Sequence, residues 1–235
     1  MEYRSSFPIF YLTVDVVLFA MLDGDLAVLV VRRGEEPYAG SWALPGGFVG
    51  DREELLDAAR RELVEETGIV GDGLALEQLK TFGGPDRDRR PHRVVSVAYL
   101  GVTPHALPPT AGTDAHEAVW RSVDEVAGSL AFDHDAILAE ARDRVASKLE
   151  YTRLAASFLP PEFTLAQLRG VYEAVWGLAI DPGNFQRKLR ASRDFLASTG
   201  ESVKPAGGRG RPAEVFRPLG EPFEKLATPI FRSAM

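Results

Sequence analysis

The sequence predicts an α+β fold in two parts, and three observations carry that prediction. Apolar, β-branched runs fill much of the first 150 residues. One acid-rich stretch with helical periodicity interrupts them, and two short helical stretches followed by a glycine-tipped ribbon close the chain. The length of 235 residues suits a medium domain with a smaller one appended, placed here at 1–150 and 151–235.

Each element has a local cause. Tyr11–Ala20 and Leu26–Arg32 are strand-like runs joined by Asp23-Gly24-Asp25, which reads as a β-hairpin. Pro45-Gly46-Gly47 breaks the short run Trp42–Val49 into a strand end and a tight loop. From Glu53 to Thr67 the apolar residues Leu55, Leu56, Ala59, Leu63 and Val64 recur at helical spacing, and Gly68 stands where a left-handed residue ends a helix. Leu74–Gly83, Val94–Thr103 and Glu117–Ser122 read as strands; Asp124 opens a helical stretch and Asp133–Leu149 is a longer helix. The result is a sandwich of helices on a mixed sheet. Beyond Tyr151, Thr164 caps a helix with Leu165, Leu168, Val171, Tyr172, Val175 and Trp176 on its apolar face. Asp181-Pro182 begins a second helix, expected to run to Leu196. Thr199–Pro218 alternates around a Gly207–Pro212 tip, the pattern of a two-stranded ribbon.

Composition excludes several classes. There are no cysteines, so disulfide frameworks, thiolate metal sites and cysteine nucleophiles are ruled out. No apolar run approaches the ~20 residues of a membrane span, and the N-terminus lacks the pattern of a secretory signal, so a soluble, cytoplasmic protein without membrane partners is expected. Charge is uneven. Residues through Glu150 hold 15 Lys and Arg against 26 Asp and Glu, a net of −11, whereas Tyr151 onward holds 12 against 8, a net of +4. An acidic body suits cation-assisted chemistry and a basic tail suits polyanion contact.

The chemistry concentrates in Gly47–Ile69. Glu62, Glu65 and Glu66, at i, i+3 and i+4, share one helix face. Carboxylates that crowded raise one another's proton affinity unless a cation neutralises them, and hard oxygen donors suit Mg²⁺ or Mn²⁺. The Gly46-Gly47 pair lets a backbone carbonyl approach the same cation, and Arg61 can orient the loop by pairing with Glu53. A metal-bound diphosphate fits such a site; a solvated acidic helix face is the alternative.

The spacing of Gly47, Glu53 and Arg61-Glu62-Leu63-Val64-Glu65-Glu66-Thr67-Gly68-Ile69 matches every specified position of the Nudix box, so the first 150 or so residues resemble a Nudix domain. The resemblance implies an α/β/α sandwich and Mg²⁺- or Mn²⁺-dependent hydrolysis of a nucleoside diphosphate linked to another moiety. It carries metal binding to Glu62, Glu65, Glu66 and the Gly46 carbonyl, catalysis to Glu62 and Glu65, and support of the box to Gly47, Glu53, Arg61 and Gly68. Pro85, sixteen residues after Ile69, looks like the marker of ADP-ribose pyrophosphatases. The loop after it supplies Arg87, Arg89 and Arg90 as donors to phosphate, or else is simply a solvated charged loop. Glu117 sits where those pyrophosphatases carry a loop carboxylate near the catalytic water, which makes it a candidate base.

Two short helices and a ribbon are the plan of a winged helix. Asn184, Gln186, Arg187 and Lys188 on the second helix can reach base edges or phosphates, and Arg209 and Arg211 at the ribbon tip resemble minor-groove readers. A small helical dimerisation domain is the alternative, attached to a plain hydrolase. Taken with the Nudix box, Leu159–Leu165, Asn184–Lys188 and Gly208–Pro212 make the whole chain resemble the NrtR-type Nudix-related transcriptional regulators. That resemblance implies a homodimer on palindromic double-stranded DNA, with ADP-ribose or a related NAD-derived nucleotide as effector. The intact box departs from those regulators and leaves three readings: a regulator that also hydrolyses its effector, an enzyme with a DNA-binding appendage, or a non-catalytic sensor that keeps the box residues as a binding pocket.

Overall fold

The computed structural model describes residues 7–70, 74–88, 90–104, 106, 108–110, 115–204 and 212–230. In chain order the strands are β1 (Tyr11–Leu22), β2 (Asp25–Arg33), β3 (Trp42–Ala43) and β4 (Gly46–Phe48), then helix α1 (Leu55–Thr67). They are followed by β5 (Leu76–Phe82), β6 (Val94–Val102), β7 (Ala115–Ser122), α2 (Val123–Val126) and α3 (His134–Tyr151). A 3-10 turn at Leu154–Phe158 leads to β8 (Phe163–Thr164), α4 (Leu165–Trp176), α5 (Pro182–Ala191), β9 (Leu196–Val203) and β10 (Ala213–Pro218). Among the described residues no helix is long and apolar enough to cross a membrane.

The first sheet is mixed in connectivity, ordered β3-β2-β1-β6-β5, with β4 added to β1 and β7 to β2. Strand β1 is buried from Thr13 to Ala20, and its one charge in that run is Asp15. Helix α1 lays Ala58, Ala59 and Leu63 on Val14, Val16, Leu18, Leu29, Val97 and Tyr99. Each large apolar side chain buried there contributes about 1.5–3 kcal/mol. The helix stops at Gly68, whose φ of +68° and N–H bond to the Val64 carbonyl close the last turn. Pairing of β4 with β1 sets Gly46 opposite Asp15 and Gly47 opposite Val14, which brings the glycine turn alongside α1.

The chain divides into two compact units, one of Met1–Leu18, Val28–Gly101 and Leu107–Ala141, the other of Phe19–Ala27, Val102–Ala106 and Arg142–Met235. In the second, β8, β10 and β9 form a three-stranded sheet. Thr164 and Gln167 make a reciprocal capping box at the start of α4, and the Asp181 carboxylate accepts the Asn184 N–H at the start of α5. Tyr172, Phe185, Phe163, Phe158 and Phe195 fill the core. Helix α5 ends at Ala191, short of the Leu196 expected from periodicity. The Asp194 carbonyl accepts from the Arg153 guanidinium, and its carboxylate accepts from Ala227 N–H and Arg153. Those remote bonds hold the chain in a turn, and Leu196 becomes the first residue of β9.

Candidate functional site

A cleft of about 380 Å³ opens in the first unit, lined by the acidic face of α1, the glycine strand β4, the end of β2, the loop before β6 and the start of α3. Glu62, Glu65, Glu66, Gly46, Gly47 and Arg61 all line it. The two glycines are required by close approach. A β-carbon at Gly46 would run into the Val14 carbonyl oxygen, and one at Gly47 into the Glu62 carboxylate.

One guanidinium gathers the acidic groups. Arg61 donates Nε to Glu53 Oε1 (2.7 Å) and Nη2 to Glu53 Oε2 (2.9 Å), while its Nη1 reaches Glu62 Oε1 (2.7 Å) and Glu65 Oε2 (2.9 Å). Nη2 also reaches the Phe48 carbonyl. Bidentate pairing with Arg61 and the Gly50 N–H hold the Glu53 carboxyl at about 2, and bonds to Glu53 first, then to Glu62 and Glu65, raise the Arg61 guanidinium. Glu66 turns the other way and accepts the Gly46 N–H at 2.9 Å. Burial pushes its carboxyl up to about 8; the Gly46 N–H opposes that shift and the Glu62 charge adds to it. Glu62, 12% exposed, is likewise raised by burial. Among the described residues no three acidic or histidine side chains already stand in a metal-binding cluster. The donor set nevertheless fits a divalent cation: two half-buried carboxylates held above their ordinary proton affinity, with a third at the rim, are what a hard cation would ionise and neutralise.

The same cleft is lined in part by a polar network that the spacing argument missed, with Asp15, Arg87 and His134 as members. Arg87 is 5% exposed, and it donates to both oxygens of Asp133 (Nη2 2.8 Å, Nε 3.0 Å) and to Asp15 at 3.4 Å. Asp15 also accepts from Ser96 Oγ at 2.5 Å and has His134 Nε2 at 3.4 Å. His134 Nδ1 accepts the Leu44 N–H at 2.9 Å, which assigns the ring proton to Nε2. Burial holds the His134 imidazole below its ordinary value, with the Asp15 charge opposing. Arg87 lines the cleft with its Nε and Nη2 already held by Asp133 and Asp15, two partners that the phosphate-donor expectation did not foresee. The available signal was Asp15, a single charge inside an apolar strand.

The other expected residues separate cleanly. Arg90 lines the cleft, with its guanidinium fixed by buried Asp88 through Nε and Nη2. Pro85 lies in an exposed turn outside the cleft lining. Glu117 is exposed on β7, and its ion pair is with Arg32 at 3.9 Å; the structure does not bring it to the cleft. Arg89 lies outside the described residues, as do Arg209 and Arg211. On α5, Gln186 and Arg187 are exposed, Asn184 and Lys188 half-buried, and Arg187 Nη2 donates to Asn184 Oδ1 at 2.8 Å. Phe185 and Leu189 point inward, so Gln186 and Arg187 fall on the solvent side of the helix.

Comparison with known proteins agrees with both halves. Residues 12–141 match the NUDIX domain family, and residues 155–217 match the NrtR DNA-binding winged helix domain. The ADPR responsive transcriptional repressor NtrR of Acinetobacter baylyi is 34% identical over 217 residues, covering 91% of this chain and 84% of that protein. The crystal structure of Shewanella oneidensis NrtR complexed with a 27mer DNA is similar with a TM-score of 0.79 at 32% identity, covering 94% of this chain and 99% of that one. The NUDIX domain of Shewanella oneidensis NrtR complexed with ADP ribose is similar with a TM-score of 0.55 at 35% identity, covering 60% of this chain and 91% of that one.

Proposed function

The chain belongs to the NUDIX domain family, in the branch that ends in an NrtR DNA-binding winged helix domain, and from that membership we propose that it is a transcriptional regulator responding to ADP-ribose or a closely related nucleotide. The observation that carries the reading is the pairing, in one chain, of an acidic nucleotide-type cleft with a capped helix pair whose second helix exposes Gln186 and Arg187. Residues 1–150 take the effector and 151–235 take double-stranded DNA, as a cytoplasmic homodimer on a palindromic site. Asn184, Gln186, Arg187 and Lys188 supply base and phosphate contacts, and Arg209 and Arg211 supply the minor-groove contact. Similarity to an ADPR responsive repressor and to a regulator crystallised on DNA supports it.

The complete carboxylate set favours a second role, metal-dependent hydrolysis of the effector. Glu62, Glu65, Glu66 and the Gly46 carbonyl would hold Mg²⁺ or Mn²⁺, which when bound would neutralise diphosphate charge and acidify a water. Arg61 holds Glu62 and Glu65 together and ties them to Glu53, and Glu65 at the rim is placed to accept a proton from the water. Glu117 would have to approach past Arg32 to serve as that base.

A gel-shift titration on DNA upstream of its own operon tests the regulator. ADP-ribose with Ca²⁺, so that the ligand persists, is expected to release the DNA. Unchanged affinity at saturating ligand would show two functions merely tethered. Formation of AMP from ADP-ribose in Mg²⁺ or Mn²⁺ tests the hydrolase, and no AMP in either metal would leave a sensor.

A further inference from the structure

Residues 219–230 follow β10 outside any helix or strand, yet they are tied down along their length. Leu226 and Ile230 are buried. Their N–H groups donate to the carbonyls of Tyr151 (2.8 Å) and Glu150 (2.6 Å) at the end of α3, and Lys225 pairs with Thr152 in an antiparallel bridge. The same segment is bonded to the turn after α5. Leu219 N–H donates to the Phe195 carbonyl, Ala227 N–H donates to the Asp194 carboxylate at 2.8 Å, and Ser192 Oγ donates to the Thr228 carbonyl at 3.2 Å. One tail thus joins the end of α3 to the end of α5.

Arg153 closes the arrangement. It stands between α3 and the 3-10 turn, with its side chain 11% exposed. Nε donates to the Asp194 carbonyl (3.2 Å), and Nη2 donates to that carbonyl (3.0 Å) and to the Asp194 carboxylate (3.2 Å). Nη1 reaches the Lys225 carbonyl (3.2 Å) and the Glu224 carboxylate (3.1 Å). The backbone N–H of Arg153 donates to the Glu224 carbonyl. Every guanidinium nitrogen is in use, some on the turn after α5 and one on the tail. A lone exposed ion pair leaves both groups free to turn, whereas a planar fork spread over two segments fixes their geometry.

Helix α3 begins at the cleft, whose lining includes His134, and its last turns belong to the second unit. There Trp176 Nε1 donates to the Ala146 carbonyl at 2.9 Å and Tyr172 OH to the Leu149 carbonyl at 3.2 Å. We propose that Arg153 is a positioning residue which, with the tail, locks α5 to the end of α3, so that a shift of α3 on ligand binding turns the DNA-facing side chains with it. The proposal rests on the reading of the protein as an effector-responsive DNA binder and names the tie by which the response reaches α5. Such a tie must have no slack, because a ligand biases a second site only through an element whose arrangement both sites share.

Two measurements on the full chain test the lock. The chain has no cysteine, so Ser147→Cys on α3 and Arg190→Cys on α5, both at exposed positions, can be spin-labelled as a pair. The pair should give one narrow distance in the wild-type background and a broad one with Arg153→Gln or Asp194→Ala. In gel shifts with Ca²⁺, ADP-ribose should change wild-type DNA affinity by a factor of about 5–150. In both variants that factor should fall to about 2 or less, with ADP-ribose itself bound as tightly as by wild type in calorimetry. Arg153→Lys, which keeps the charge without the fork, should fall between, and it decides the matter if Arg153→Gln does not fold. A merely structural arginine would lower melting temperature and DNA affinity together and leave the ADP-ribose factor as it was. That result, a distance that stays narrow in both variants, or one already broad in wild type overturns the lock and leaves the effector reading intact. If ADP-ribose leaves wild-type DNA affinity unchanged, the effector reading falls, and the width of the distance alone decides for or against the lock.

Discussion

Helices α1 and α5 hold the candidate site residues of the two halves, and they treat their polar residues in opposite ways. On α1 each box carboxylate is answered by the chain itself: Glu62 and Glu65 by Arg61, Glu66 by the Gly46 N–H. On α5, Gln186 and Arg187 are exposed, and the Arg187 contact is a short one within the helix, to Asn184. A site that must place charges to within fractions of an ångström needs partners from remote strands. A surface that must meet the edges of a duplex needs polar side chains left open. Substitutions should therefore damage the two halves differently.

The largest contrast is in stability. Arg87→Met would leave buried Asp15 and half-buried Asp133 without their shared guanidinium, and breaking such a set costs about 3–5 kcal/mol. Arg187→Ala removes an exposed contact and should change stability by less than about 0.5 kcal/mol. Urea unfolding of both variants measures the difference. A small loss for Arg87→Met would mean that the network is solvated and that Arg87 is free for ligand after all.

Next comes catalysis. Glu66→Gln is expected to cut AMP release by on the order of 100-fold, since a charge that a divalent cation needs is lost while the amide can still accept the Gly46 N–H. DNA affinity without effector should be untouched. A variant that hydrolyses normally would remove Glu66 from the metal site.

Then comes recognition. Arg187→Ala should cost about 1–3 kcal/mol of operator affinity with relaxed base preference, if its fork reads a base edge. Footprinting on operator variants reports it. Equal loss on every sequence would make Arg187 a phosphate contact, detectable as a shallower salt dependence.

The same contrast explains what could be read from the sequence. The α1 box is local: three glutamates within five positions, a glycine turn before and Gly68 after, so spacing alone assembles it. The capping signals of α4 and α5 are local too. The Asp15, Arg87, Asp133 and His134 network joins residues far apart in the chain, and no period links them. A sequence shows that the loop after Pro85 is basic but hides that Asp133 and Asp15 already hold Arg87. The end of α5 failed for a related reason. Phe195 and Leu196 continue the apolar period, but Arg153, forty-one positions upstream of Asp194, holds the turn.

The smallest expected effect lies in pH. His134 is buried with Nδ1 accepting the Leu44 N–H, so protonation would set two donors face to face. Asp15 and Asp133 favour the charged ring, while burial, Arg87 and Arg33 disfavour it, and the net displacement is downward from the ordinary 6.5. The unfolded chain therefore takes up a proton before the folded one does. Stability from the neutral ring is complete above about pH 6.5 and is lost as pH falls through the lower folded value. Tyr151 onward contains no histidine, so the loss should be confined to the effector half. Amide-exchange protection measured at pH 7 and pH 5 should drop at Leu44 and its strand neighbours while that of α4 holds. Gln at position 134 can accept from the Leu44 N–H and donate toward Asp15, so His134→Gln should flatten the pH dependence without unfolding the site. If protection of α4 falls in step with that of Leu44, the acid response belongs to the whole chain and His134 is not its source.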